Sequence, residues 1–162
     1  MNKIFVILIL LICIGGAFLY VRSDVSRGKN LTPPSGKAIT ESRVVIDCGA
    51  VFMQNYNNLE LFGDGRVRNK SNRTKGEVVS AQMDIEKYKK LLLRAYEIDL
   101  FVLSKLKPVQ PLHPDGGACD VTFVVNGKTT KISTTNLAGH PVELDEVSAY
   151  IAEWYKSSGI NF

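Results

Sequence analysis

An Asn-Gly pair at positions 126 and 127, set between two runs rich in β-branched residues, constrains the fold of this chain more tightly than any other feature. Cys119-Asp120-Val121-Thr122-Phe123-Val124-Val125 leads into the pair, and Lys128-Thr129-Thr130-Lys131-Ile132-Ser133-Thr134 leads out of it. Asn and Gly tolerate the two positive φ values of a type I′ turn, so a two-residue β-hairpin is expected here. Counting back from the turn sets Val121 against Ile132 and Phe123 against Thr130 on one face. An antiparallel sheet is therefore the frame into which the rest of the chain must fit.

Arg43 to Cys48 reads as a short first strand, broken by Gly49 and the polar stretch from Gln54 to Asn58. Asn58-Leu59-Glu60-Leu61-Phe62 alternates apolar and polar, Gly63-Asp64-Gly65 supplies turn residues, and Arg66-Val67-Arg68 resumes the alternation, so a second hairpin is expected. An acid between glycines resembles the start of a calcium loop, but Arg66, Val67 and Arg68 follow in place of oxygen ligands, which leaves a plain turn. Val78-Val79 adds a further short strand. Asp84 is placed to cap a helix in which Ile85, Tyr88, Leu92 and Ala95 recur at helical spacing, widened by Leu91 and Leu93. That helix is expected to end near Glu97, after which Leu100 to Leu103 return to the core. Pro108, Pro111 and Pro114, with Gly116 and Gly117, predict a long irregular loop. Pro141 opens a last helix carrying Leu144, Val147, Ile151 and Trp154 on one side, with Gly159 just past its end. The order strand, hairpin, helix, loop, hairpin, helix is that of an α+β domain, a small antiparallel sheet packed by two helices.

Ahead of this domain lies an apolar run from Ile4 to Val21, flanked by Lys3 and Arg22 and free of acids. A helix of that length crosses most of a hydrocarbon core of about 30 Å, so an N-terminal transmembrane helix is expected. The competing reading is a secretory signal cleaved near Ala17, after Gly15-Gly16. Residues 1–22 are then the anchor or signal segment, 23–41 a flexible tether stiffened by Pro33-Pro34, and 42–162 a single domain. Counting basic residues alone would keep the domain in the cytoplasm, whereas the signal-anchor layout exports it. Export is the reading adopted: a single-pass protein of a bacterial inner membrane, its C-terminal domain in the periplasm or outside. A net charge of +4 makes the chain a mild cation, with no motif that points to nucleic acid.

The chain shows no Gly-x-Ser-x-Gly, phosphate loop, dinucleotide fingerprint or close carboxylate pair. His113 and His140 are the two histidines, each beside a proline, and their spacing from Asp115 and Cys119 matches no zinc pattern. An enzyme is not expected, nor a metal or other cofactor; the alternative is an envelope hydrolase using His113 or His140 with Asp115. Binding candidates are Leu112, His113 and Asp115 in the proline-rich loop, because loops of that length expose side chains on a rigid scaffold. Arg66 and Arg68 open the densest basic stretch, which continues through Lys70, Arg73 and Lys75 and reads either as a grip on an anionic partner or as a solvated strand face. No aromatic is interleaved with these charges, as single-stranded nucleic acid would require. Cys48 and Cys119 are the thiols of the domain, and in an oxidising compartment they form either a disulfide or two buried reduced cysteines.

Cys48-Gly49, the Leu59 to Val67 hairpin, Leu100-Phe101 after a helix, Asp120, the Asn126-Gly127-Lys128 hairpin and the Pro141 to Leu144 helix start resemble an uncharacterised family of bacterial envelope α+β domains. The layout is also similar to that of emfourin-type metalloprotease inhibitors. Val51-Phe52-Met53 stands where the first family has a second cysteine followed by proline, and the Gly-Gly-Phe start of the second is missing. The resemblance implies a small non-catalytic binding domain and assigns no functional residue. The expected function is a membrane-tethered protein-binding domain, an inhibitor or immunity-type protein against a hydrolase or toxin. A structural subunit of an envelope or secretion assembly is a further alternative. A protein partner is expected, and a small-molecule ligand is not.

Overall fold

The computed structural model describes residues 32–50, 55–72, 75–110 and 117–160. Six antiparallel strands form one sheet: β1 (Arg43–Ala50), β2 (Asn55–Phe62), β3 (Arg66–Ser71), β4 (Val78–Gln82), β5 (Ala118–Val125) and β6 (Lys128–Ser133), in the order β4-β3-β2-β1-β5-β6. The first strand is therefore central, joining one hairpin on each side. A short helix, α1 (Lys37–Thr40), precedes the sheet, and two longer ones follow, α2 (Ile85–Glu97) and α3 (Pro141–Ser157). The α+β architecture read from the sequence is the one observed.

Alternation decides which face of the sheet is covered. Val44, Ile46, Leu59, Leu61, Val67, Val121, Phe123 and Ile132 are buried on one side, and against them lie Tyr88, Leu91, Leu92 and Ala95 of α2 with Val147, Tyr150, Ile151 and Trp154 of α3. An aromatic chain crosses this core: Phe101 meets Phe123 at 5.0 Å between ring centres, Phe123 meets Tyr150 at 6.2 Å, Tyr150 meets Trp154 at 6.0 Å, and Trp154 meets Tyr88 at 5.3 Å. All but the tilted Phe123–Tyr150 contact are edge-to-face, and such contacts contribute beyond the area they bury, by about 0.5–1.5 kcal/mol each. Tyr150 resolves the polarity of its own tip by donating to the Leu91 carbonyl at 2.9 Å, which ties α3 to α2. Arg94 and Glu153 form an ion pair between the same two helices.

Local signals account for the element ends. Asp84 accepts from the Glu86 amide at 2.8 Å and caps α2. Asn126 and Gly127 adopt φ of 52° and 70°, and the resulting register sets Val121 against Ile132 and Phe123 against Thr130, as the turn predicts. The segment from Leu100 to Lys105 is a 3₁₀ helix that returns Leu100, Phe101 and Leu103 to the core.

Three expectations are corrected. Asn55 to Asn58 belongs to β2, because its pairing with β1 runs as far as Asn55 and supplies the backbone partners that a polar stretch lacks by itself. Gly49 pairs with Tyr56 and Ala118 and does not end β1. Ile85 is half exposed, since it occupies the first position of α2, ahead of the turn that reaches the core.

Within the segment read as a tether, Lys37–Thr40 is helical and Ile39 is buried. A Cβ at Gly63 would lie 1.8 Å from the Ile39 carbonyl oxygen, so only glycine lets α1 sit against the β2–β3 turn. Ser42 secures the junction by donating to the Ile39 carbonyl and meeting the Tyr88 hydroxyl at 2.8 Å. Among the described residues no helix is long and apolar enough to cross a membrane; the apolar run at 4–21 lies outside them.

Candidate binding face on the open side of the sheet

With both long helices on one side of the sheet, the residues that alternate with the core point away from them. This open face carries Arg66, Arg68 and Lys70 along β3, Glu60 and Phe62 on β2, Arg43, Val45 and Asp47 on β1, and Asp120, Thr122 and Val124 on β5. Arg43, Asp47, Arg66, Arg68 and Lys70 are exposed, while Phe62 is half-buried among them.

The β2–β3 turn builds the most organised part of this face. The Gly65 amide donates to the Phe62 carbonyl at 2.9 Å and Gly65 takes φ 87°, which closes a three-residue turn and aligns Leu61 with Val67. That register brings Phe62 alongside Arg66 on the open side. The guanidinium carbon of Arg66 lies 4.9 Å from the centre of the Phe62 ring, and that of Arg68 lies 5.8 Å away. Two cations thus flank one aromatic, an arrangement worth about 0.5–1 kcal/mol per contact at exposed sites.

Asp64, at the tip of the turn, fixes the first arginine. Its carboxylate accepts from the Arg66 backbone amide at 3.1 Å and from Arg66 Nε at 2.7 Å. The backbone amide is the main reason that the Asp64 carboxyl titrates below its ordinary value, with the arginine side chain adding to it. Arg66 is therefore a held group with part of its charge already answered. Arg43, Arg68 and Lys70 make no ion pair among the described residues and remain available to an external anion.

The middle of the face has the opposite sign. Asp47 and Asp120 stand directly opposite each other on β1 and β5, and Lys131 reaches Asp120 at 2.6 Å, leaving Asp47 exposed. The face is consequently polarised, basic over β3 and the start of β1, acidic over the middle of β1 and β5. A polarised surface favours one orientation of a docking partner over its reverse.

Among the described residues a cleft of about 370 Å³ lies beside α2 and α3, lined by Leu91, Leu93, Glu86, Glu97 and Glu153 together with Lys89, Lys90 and Arg94. Four of its six charges are answered by the Arg94–Glu153 and Lys89–Glu86 pairs, and the remaining two, Lys90 and Glu97, are of opposite sign. It offers an anion less than the sheet does.

Of the residues singled out in the sequence, Arg66 and Arg68 fall together on the open face, whereas Leu112, His113 and Asp115 lie outside the described residues. His140 precedes α3, with Nε2 3.1 Å from the Lys107 carbonyl. No group of three or more histidines, cysteines or acids able to hold a metal occurs among the described residues. Cys48 and Cys119 are joined by a disulfide across β1 and β5, on the helix side of the sheet. Phe62 is the member that sequence reading passed over. It precedes Arg66 by four positions, outside the basic stretch, and only the turn geometry folds it back between the arginines.

No protein-family model matches the chain, and a search of curated proteins returns no similar sequence.

Proposed function

We propose that this protein is a membrane-tethered, non-catalytic binding domain of the bacterial envelope, and that the open face of its sheet receives an acidic protein partner. The observation that carries this reading is the pairing of Arg66 and Arg68 around Phe62 on a sheet face that no helix covers among the described residues. Interfaces favour arginine and aromatic residues together, because a flat ring and a planar cation give contact area at low cost in side-chain entropy. Arg43 and Lys70 extend the basic area, and Asp47 sets its boundary.

The cellular address supports an external partner. The apolar run from Ile4 to Val21 is read as the membrane anchor, with the domain in the periplasm or outside, and the Cys48–Cys119 disulfide suits an oxidising compartment. An inhibitor or immunity-type role against a hydrolase or toxin accords with a rigid scaffold and a polarised surface.

Site-specific photocrosslinking in intact cells tests the reading. A photoreactive residue at Asn58 or Thr122, both on the open face, is expected to give one discrete adduct that disappears when Arg66 and Arg68 are changed to glutamate. Adducts that form equally from Lys87 or Lys90 on α2, or that survive the two charge reversals, would overturn it.

A further inference from the structure

The edge of the sheet beside the basic stripe is open to pairing. β4 hydrogen-bonds to β3 on one side, and the Met83 amide donates to the Gly65 carbonyl at 2.8 Å. Antiparallel ladders alternate, so Val79 and Ala81 also turn their backbone groups toward β3 while Val78, Ser80 and Gln82 turn theirs outward. At the Gln82 end the edge is approached by Gly159, whose Cβ position lies 3.6 Å from the Gln82 carbonyl oxygen. Val78 and Ser80 have no such neighbour among the described residues.

Two of the exposed large apolar side chains lie on this edge strand, Val78 at 59% exposure and Val79 at 40%. Val79 and Ala81 lie on the helix side of β4, paired with Asn69 and Val67. On the other side, Val78 and Ser80 pair across with Lys70 and Arg68, two cations that form no ion pair among the described residues. A strand added to β4 would lie about 10 Å from β3, two strand spacings, within the combined reach of the cation and a carboxylate, Arg68 reaching across the small Ser80 side chain and Lys70 across Val78.

We propose that the partner binds by strand addition: an extended segment with alternating acidic and apolar residues pairs with β4 at Val78–Ser80. Its carboxylates meet Arg68 and Lys70 on the open face, and an apolar residue between them covers Val79 on the helix side. This names the form of the acidic partner and rests on the function proposed above. Backbone bonds to Val78 and Ser80 provide affinity and the alternate side chains provide selection. A second copy of this chain is a poor occupant, because β4 reads Val-Val-Ser-Ala-Gln and brings no carboxylate to the two cations.

The test uses the full chain in detergent with a short acetylated and amidated peptide that alternates glutamate with valine. Amide exchange at Val78 and Ser80 is expected to slow on binding. N-methylating the peptide at the alternate residues that face β4 should weaken binding by about tenfold or more, and methylating the others should not. Arg68→Glu should weaken the glutamate peptide and strengthen a lysine counterpart, an exchange that misfolding would not produce. Binding that perturbs Phe62 and Arg66 but leaves Val78 and Ser80 unprotected would overturn strand addition while sparing the open face as the site. Absence of binding to the peptide in either charge form would overturn the strand proposal, as would pairing of β4 with a second copy in its place.

Discussion

Cys48 and Cys119 stand directly opposite each other on β1 and β5 and are joined by a disulfide between residues 71 apart in sequence. The bond ties the central strand to the C-terminal hairpin, two parts of the chain that the sheet brings together only late in its connectivity. Closing a loop of that length removes unfolded-state entropy worth about 4 kcal/mol. Replacing both cysteines with alanine is expected to lower unfolding stability by about 3–5 kcal/mol in urea denaturation, with the sheet still formed by circular dichroism.

Burial of tyrosine hydroxyls makes the domain sensitive to alkali. Desolvation pushes the Tyr88 hydroxyl up to about 12, does the same to Tyr155, and raises Tyr150 as well. A raised folded value means that the stabilisation is complete below about pH 10, the unfolded value, and is lost as pH rises toward 12. Stability should fall by about 1.4 kcal/mol per pH unit for Tyr88 across that window, with a smaller share from the less enclosed Tyr155. Denaturation midpoints measured between pH 9 and 12 check the slope, and Tyr88→Phe should make it shallower by the Tyr88 share, leaving that of Tyr150 and Tyr155, at the cost of the bond to Ser42.

Gly63 is needed for sterics alone, since the Ile39 carbonyl oxygen occupies the place of a Cβ. Gly63→Ala is expected to destabilise by about 1–3 kcal/mol and to release α1 first. Earlier amide exchange at Ile39 than at the β1 residues Val44 and Ile46 would show that release.

Asp47 and Asp120 are like charges placed opposite each other, and Lys131 answers Asp120 alone. Asp47→Asn should therefore raise stability by about 0.2–1 kcal/mol, measured by denaturant midpoint. A loss of stability would show that Asp47 carries a structural role that the open face conceals.

Much of the fold was legible because its signals are local. Asn126-Gly127 set the register of β5 and β6, Asp84 and Gly159 marked helix ends, and the spacing of Tyr88, Leu92 and Ala95 located the face of α2. The placement of β1 between β2 and β5 was not legible, since long-range pairing leaves no mark in a short β-branched run. For the same reason Asn55 to Asn58 read as a break: their strand state comes from the neighbouring β1. Arg66 and Arg68 were legible as charges, but their contact with Phe62 depends on a turn that reverses the chain between them.

The charge and geometry of the open face form the centre of this account, and isotope-labelled spectra of the full chain in detergent, titrated with polyglutamate at low salt, test it most directly. The predicted result is a set of shifts at Arg43, Phe62, Arg66, Arg68 and Lys70 that fades as salt is raised and vanishes in the Arg66→Glu, Arg68→Glu double variant. Shifts spread equally over Lys87, Lys89 and Lys90 of α2, or unaffected by the double variant, would contradict it.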